Sequence, residues 1–134
     1  KIVSVEGDGG FLIHSSMLAT AAEYNLPITW IVVNNSSYGT VWGLQRQYFE
    51  NRSMFTEFKY ENEDVYVPNY AKVAEGFRVK GFRIEKPEDI KPVLEEALAY
   101  DGPTLVDVVV DRIFSSTPPT VSRCGWDKYY PDWE

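Results

Sequence analysis

The apolar positions of this chain form short continuous runs that alternate with stretches of helical period. The run at residues 28–33 is too continuous for a strand with one solvated face and is typical of a strand covered on both faces. The pattern predicts strands at residues 2–5, 28–33, 78–84 and 103–111, and helices at 11–24, 38–49, 69–77 and 86–100. This alternation predicts an α/β fold with a parallel, doubly wound sheet and helices on both faces.

Local signals refine three of these segments. In the first helix Ile13, Met17 and Ala21 recur at helical spacing, and Ser36 and Ser37 are suited to cap the helix that follows. Residues 50–68 are polar, aromatic and acidic without a period, which predicts a long surface loop.

The two ends of the chain differ in character. The first residues read directly as a buried strand, without an initiator methionine or a secretory signal, so we expect the sheet to be incomplete at the N-terminus and the chain to be a fragment, a processed product or one subunit of something larger. Residues 1–112 are predicted to form one domain. Residues 113–134 form an aromatic, proline-bearing tail, which we hypothesise to be a lid.

Charge, the length of the apolar runs and cysteine content indicate which partners and which compartment to expect. The chain has 13 Lys and Arg against 20 Asp and Glu, a net charge of -7, so we expect no nucleic-acid partner. No stretch approaches the roughly 18 apolar residues of a membrane span, and we expect no membrane partner. A single cysteine, Cys124, fits a reducing compartment, and we expect a cytoplasmic protein.

Two unusual loops, residues 7–10 and 34–39, each follow a predicted strand. Because the carboxyl ends of parallel strands lie at the same edge of a sheet, these loops should lie side by side. Ligands of open parallel sheets bind at that edge. The backbone of Gly9 and Gly10 can approach a phosphate closely at the start of a helix. Asp8 offers a carboxylate and Asn35 an amide oxygen, the ligands that Mg²⁺ prefers. A tight turn without a ligand is the alternative interpretation of the glycines alone.

The spacing of the two loops resembles a known signature. "GDG" at residues 7–9 is followed by 24 residues and then by "NN" at residues 34–35, which is similar to the diphosphate-binding signature of thiamine-diphosphate-dependent enzymes. The stretches "VVNNSSYGTVWGLQRQYFENR" and "GPTLVDVVVD" resemble the C-terminal domain of the acetolactate synthase and benzoylformate decarboxylase group. The resemblance covers roughly residues 1–112.

This resemblance implies thiamine diphosphate and Mg²⁺ as cofactors and assigns residues to them. Side chains of Asp8 and Asn35 and the backbone carbonyl of Ser37 match the metal ligands of the family. Thr40 and Val41 fall where the next helix faces the cofactor ring and the substrate. The predicted cofactor-binding set is Asp8, Gly9, Gly10, Asn35, Ser37, Tyr38, Gly39 and Thr40, in which Gly9, Gly10, Tyr38 and Gly39 act mainly through backbone groups.

The resemblance also implies a reaction class and further partners. It points to an acetolactate synthase-like enzyme, a decarboxylase or an acyl or aldehyde lyase, which cleaves or forms C–C bonds of 2-oxo acids. In that family a catalytic glutamate comes from an N-terminal pyrimidine-binding domain of a neighbouring subunit, and no glutamate of this chain matches it. We therefore expect a dimer or tetramer in which this chain contributes the diphosphate and metal half of the site, with its own catalytic residues unassigned.

One alternative stays open at the level of the sequence. The chain could be a non-catalytic regulatory or assembly subunit that retains the cofactor-binding fold. Asp8 and Asn35 argue against a relic, because a site without a ligand has no need of both oxygens at that spacing. The single histidine, His14, is interpreted as structural rather than as a contact to substrate.

Overall fold

A four-stranded parallel sheet forms the centre of the computed structural model, which describes residues 1–50 and 54–111. All three strand pairs are parallel, and the spatial order is β1-β2-β4-β3. The strands are β1 (Ile2–Gly7), β2 (Ile28–Asn34), β3 (Lys80–Ile84) and β4 (Thr104–Val109). The predicted fold class, a parallel α/β sheet with helices on both faces, is confirmed.

Helices connect the strands and cover the two faces of the sheet. They are α1 (Asp8–His14), α2 (Met17–Glu23), α3 (Gly39–Tyr48), α4 (Tyr70–Gly76) and α5 (Ile90–Ala99). The direction across the sheet reverses between β3 and β4, and right-handed crossovers then place α5 on the face opposite to α1, α2 and α4. No helix in the described ranges has the length and apolarity needed to cross a membrane.

Each face has its own apolar core. On one face Phe11 and Leu18 pack against Trp30 and Leu105 of the central strands, together with Tyr70 of α4. Gly81 of β3 allows the backbone of α4 to lie directly on the sheet, because a Cβ there would overlap the carbonyl of Ala71. On the other face α5 covers β3 and β4 through a second cluster of Ile84, Ala97 and Val106.

The first predicted helix differs from the observed one in two respects. It divides into α1 and α2 at Ser15 and Ser16, where the N–H groups of Leu18 and Ala19 donate to carbonyls three residues back. Of the three apolar residues at helical spacing, Ile13 and Met17 are 81% and 57% exposed, and only Ala21 is buried. Phe11, Leu18 and Ala21 are the buried positions, because the break changes which side chains face the sheet.

The predicted surface loop at residues 50–68 is partly ordered by main-chain pairing. Thr56 and Phe58 are buried, although Phe55 and residues 60–67 are exposed. Short bridges join Ser37 to Glu57 and Lys59 to Val65. This segment therefore packs back onto the loop after β2, through long-range pairing that its aperiodic composition does not indicate. The tail at 113–134, with its hypothesised lid, lies outside the described residues.

Candidate functional site

The carboxyl ends of β1 and β2 bring the two unusual loops together. These strands are neighbours with Gly7 in register with Val33, so the residues that follow each strand emerge side by side. Asp8 begins α1 directly after β1, and Asn35 to Ser37 follow β2. The adjacency predicted from the parallel alternation is present in the structure.

Asp8 is the charged group at the centre of this arrangement. It is 1% exposed, and its two carboxylate oxygens accept hydrogen bonds from different loops. The N–H of Gly9 donates to Oδ1 at 2.8 Å, and the N–H of Ser37 donates to Oδ2 at 3.2 Å. Burial raises the pKa of Asp8, and these backbone donors offset that effect only in part.

The loop after β2 contacts Asp8 through Ser37 and carries the amide oxygen of Asn35 next to that serine. The backbone N–H of Ser37 donates to Asp8, and the hydroxyl of Ser37 donates to Oδ1 of Asn35 at 3.2 Å. Ser36 adopts a left-handed backbone with φ of +55°, which a non-glycine residue seldom takes and which is enriched at functional sites. The prediction that Ser36 and Ser37 cap α3 was wrong, because the N-cap is Tyr38 and has no side-chain capping bond.

The glycines of the first loop have different surroundings. A Cβ on Gly9 would overlap the ring of Tyr38, so the close contact between the two loops requires glycine there. A Cβ on Gly10 would meet only Oε2 of Glu6 at 3.6 Å, an ordinary contact. Because the N–H of Gly9 is used by Asp8 and that of Tyr38 donates to Thr56 at 2.7 Å, two of the four predicted backbone groups have partners within the protein.

The remaining members of the predicted set lie at the starts of helices. Gly10 belongs to the first turn of α1 and Gly39 to the first turn of α3. The first turn of a helix leaves its N–H groups without intrahelical acceptors and carries the positive end of the helix dipole. Thr40 and Val41 are exposed at the start of α3, at the same edge of the sheet as Asp8.

The donor set fits Mg²⁺ better than a softer metal. Within residues 1–50 and 54–111, no three His, Cys, Asp or Glu side chains converge, so a metal beside Asp8 depends on amide and carbonyl oxygens. One carboxylate with neutral oxygen donors suits a Mg²⁺ ion that also binds phosphate and water. The rotatable hydroxyl of Ser37 can release Oδ1 of Asn35 to such an ion.

A second polar group near Asp8 is also left to a ligand or water. The hydroxyl of Tyr70 is buried and has no hydrogen-bond partner among the described residues. Burial raises the pKa of Tyr70, and the charge of Asp8 raises it further. The buried hydroxyl of Tyr70 therefore lacks a partner within the described residues, whereas both oxygens of Asp8 have backbone donors but no cation.

Sequence reasoning missed a buried network that supports this site. Asp107 of β4 is 0% exposed and binds Arg83, Asn34 and the backbone N–H of Tyr70. The available signal was an aspartate within an apolar strand, where aspartate is depleted and is buried only with partners. His14 contacts Glu6, with Nε2 to Oε2 at 2.9 Å, which fits the structural role predicted for it.

Comparison with known proteins gives matches along most of the chain. Residues 1–108 match the family model described as thiamine pyrophosphate enzyme, C-terminal TPP binding domain. An acetolactate synthase of Bacillus subtilis is 39% identical over 111 residues, 83% of this chain and 18% of the relative. A 3D-(3,5/4)-trihydroxycyclohexane-1,2-dione hydrolase of Bacillus velezensis is 37% identical over 130 residues, 97% of this chain and 19% of the relative.

A solved structure shows the same fold. The thiamine diphosphate-dependent 4-hydroxybenzoylformate decarboxylase of Rhodococcus jostii RHA1 superposes with a TM-score of 0.74 at 27% identity, over 86% of this chain and 20% of that one. The chain thus spans about a fifth of the length of the proteins it matches.

Proposed function

The chain belongs to the thiamine pyrophosphate enzymes, as their C-terminal TPP-binding domain, and from that membership we propose that it binds thiamine diphosphate through Mg²⁺ held by Asp8, Asn35 and Ser37. The observation that carries the metal assignment is the environment of Asp8. Its carboxylate is buried, accepts only backbone N–H donors among the described residues, and is linked through Ser37 to the amide oxygen of Asn35. A divalent cation would supply the positive charge that this buried carboxylate does not find among the described residues.

Each part of the site has a defined task in this proposal. Asp8 provides the anionic ligand, Asn35 its amide oxygen and Ser37 its backbone carbonyl. The first turns of α1 and α3 direct backbone N–H groups at Gly10 and Gly39 toward the diphosphate. When bound, the cofactor supplies an electron sink for bonds broken or formed at a carbonyl carbon. The residues of this site hold and orient the cofactor.

The proposed reaction class is C–C bond cleavage or formation on 2-oxo acids. Acetolactate synthase and 4-hydroxybenzoylformate decarboxylase among the similar proteins support this class. Because the chain spans about a fifth of their length, we propose that a pyrimidine-binding domain elsewhere in a dimer or tetramer supplies the catalytic glutamate. We also propose a cytoplasmic location.

Calorimetry tests the metal and cofactor assignment. Thiamine diphosphate is titrated into the full chain with Mg²⁺ and again with EDTA, and we expect binding only with Mg²⁺. Asp8→Ala is expected to abolish this binding, whereas Asp101→Ala, which removes an exposed carboxylate remote from the site, leaves it unchanged. Equal affinity with and without Mg²⁺, or in Asp8→Ala, would contradict the proposal.

A further inference from the structure

A buried hydrogen-bond network joins the far strand of the sheet to the loop that carries Asn35 and Ser37. Asp107 lies in β4 and is in register with Arg83 of β3, so both side chains project from the same face of the sheet. Oδ2 of Asp107 accepts from Arg83 Nη1 and from the N–H of Tyr70 at 3.0 Å, and Oδ1 accepts from Asn34 Nδ2 at 2.9 Å. This carboxylate therefore contacts three different elements.

The network holds the side chain of Asn34 in one orientation. Nδ2 of Asn34 lies 2.9 Å from Oδ1 of Asp107 and 2.9 Å from the carbonyl oxygen of Pro68. A carboxylate and a backbone carbonyl can only accept hydrogen bonds, so the amide nitrogen must face them and the amide oxygen must face the other way. Arg83 reinforces this arrangement, because it also donates to the Pro68 carbonyl, at 3.1 Å.

The amide oxygen of Asn34 meets the backbone of the loop. Oδ1 accepts from the N–H of Ser36 at 3.3 Å, and Ser36 is the residue in the left-handed conformation. A left-handed backbone is unfavourable for a serine, so it persists where surrounding contacts hold it. The next N–H, that of Ser37, reaches Asp8. The chain of contacts thus runs from Asp107 through Asn34 and Ser36 to the loop that contacts Asp8.

We propose that Asp107 is a positioning residue for the metal-binding loop, acting through Asn34. This inference rests on the proposed function, because it concerns the Mg²⁺ site assigned above. The hydrogen bonds of Asp107 go to Arg83, Asn34 and Tyr70, and its influence on a metal is transmitted by the orientation of Asn34. Residues that orient metal ligands typically alter metal affinity by about 10-fold to 100-fold when they are replaced.

Asp107→Asn is the primary variant, and Mg²⁺ affinity is its first readout. The variant keeps the shape of the side chain but presents an amide group to partners that are all donors. We expect Mg²⁺ affinity, measured by calorimetry with thiamine diphosphate present, to fall about 10-fold or more. Thr104→Val is the matched control, because Thr104 lies in the same strand as Asp107 but on the opposite face of the sheet. This variant removes a buried hydrogen bond to Thr29 of β2, and we expect metal affinity within about twofold of wild type.

A second variant breaks the same connection at the loop. Asn34→Ala leaves Asp107 paired with Arg83 and is expected to weaken Mg²⁺ binding to a similar degree. In the Asn34→Ala background, Asp107→Asn should add less than about twofold, because the path through Asn34 is already broken. Independent, additive losses of metal affinity, wild-type affinity in either single variant, or an equal loss in Thr104→Val would each overturn the inference.

Amide hydrogen exchange separates this inference from the proposed function. In metal-free protein, Asp107→Asn should accelerate exchange at Ser36 and Ser37 by about 10-fold or more, while Thr104→Val leaves these two amides unchanged. If the wild-type chain fails to bind Mg²⁺ but this acceleration is seen, the proposed function fails and the positioning of the loop stands. Unchanged exchange at both amides would overturn the positioning role whatever the metal data show.

Discussion

Asp8 and Asp107 are two buried aspartates near the same edge of one sheet, and their surroundings differ. Asp8 is 1% exposed and Asp107 is 0% exposed. Asp107 faces the guanidinium of Arg83, whereas Asp8 accepts from the backbone of Gly9 and Ser37 and forms no ion pair within the described part of the chain. A buried carboxylate that the protein neutralises serves the fold, and one that it leaves uncompensated is suited to a cationic ligand.

The pKa shifts of Arg83, which pairs with Asp107, and of Asp8 itself reflect the same difference between the two sites. Burial works to lower the pKa of Arg83, but the hydrogen bond with Glu85 and the charge of Asp107 outweigh it, and the pKa is raised. The guanidinium of Arg83 therefore stays charged beside Asp107. At Asp8 burial dominates and the carboxyl pKa is raised, so the free site disfavours the negative charge that a metal would require.

The largest expected effect concerns the structural side of this comparison. Asp107→Ala leaves the guanidinium of Arg83 without its buried partner and should lower the free energy of unfolding by about 3–5 kcal/mol. Urea denaturation followed by circular dichroism measures it. Glu85→Ala removes the other carboxylate bound to Arg83, which is 62% exposed, and should cost less than about 1 kcal/mol. Similar costs for the two variants would show that the buried partner Asp107 matters no more to Arg83 than the exposed partner Glu85.

An intermediate effect tests how Asp8 is held. Gly9→Ala places a Cβ into the ring of Tyr38 and should cost about 1–3 kcal/mol by overpacking, with the N–H donor to Asp8 displaced. Gly10→Ala, in the same helix, meets open space and an ordinary contact, and should be neutral or stabilising by up to about 1 kcal/mol. Thermal unfolding of the two variants provides the measurement, and equal stabilities would show that the loops do not pack as described.

The remaining test, with the smallest change per step, is the pH dependence of the free energy of unfolding of the metal-free protein. The folded-state pKa of Asp8 lies above its ordinary value of 3.8, so its contribution to stability is fully present below that pH and is lost as pH rises through the raised pKa. Asp8→Asn lacks this loss. Its stability relative to wild type should therefore increase with pH across this window, by at most about 1.4 kcal/mol per pH unit.

Urea midpoints of wild type and Asp8→Asn in EDTA, between about pH 4 and 7, measure this difference. A gap that closes as pH rises would show that the protein alone stabilises the anionic form of Asp8, against the direction of its pKa shift. Mg²⁺ with thiamine diphosphate, at about 100 times the dissociation constant, should stabilise wild type by about 2.7 kcal/mol and the variant by much less.

Much of the fold was predictable because its signals are local. The apolar runs 28–33 and 103–111 correspond to β2 and β4, and the short helix before Gly76 was identified from its own period. The break at Ser15 and Ser16 was not predicted, because serines are compatible with a continuous helix and Ile13, Met17 and Ala21 keep helical spacing across it. The order of β3 and β4 was also beyond the pattern, since it depends on which strands pair.

The site was predictable only in part for the same reason. Asp8 and Asn35 were assigned from spacing and resemblance, and the parallel sheet brings their loops together. The support of that loop by Thr56 and Phe58 was missed, because it depends on backbone pairing across some twenty residues of aperiodic sequence. That the amide of Tyr38 is already used by this pairing is likewise visible only in the folded chain.

The sequence by itself determined the strand and helix alternation, the glycine turn after β1 and the oxygen-bearing side chains at the ends of two strands. Only the tertiary structure decided what each charge faces. Asn34, Pro68, Arg83 and Asp107 are distant along the chain and meet only when three strands and the segment before α4 pack, so no local pattern reports their hydrogen bonds. The two buried aspartates are chemically identical residues, and the folded environment alone makes one a structural anchor and the other a candidate metal ligand.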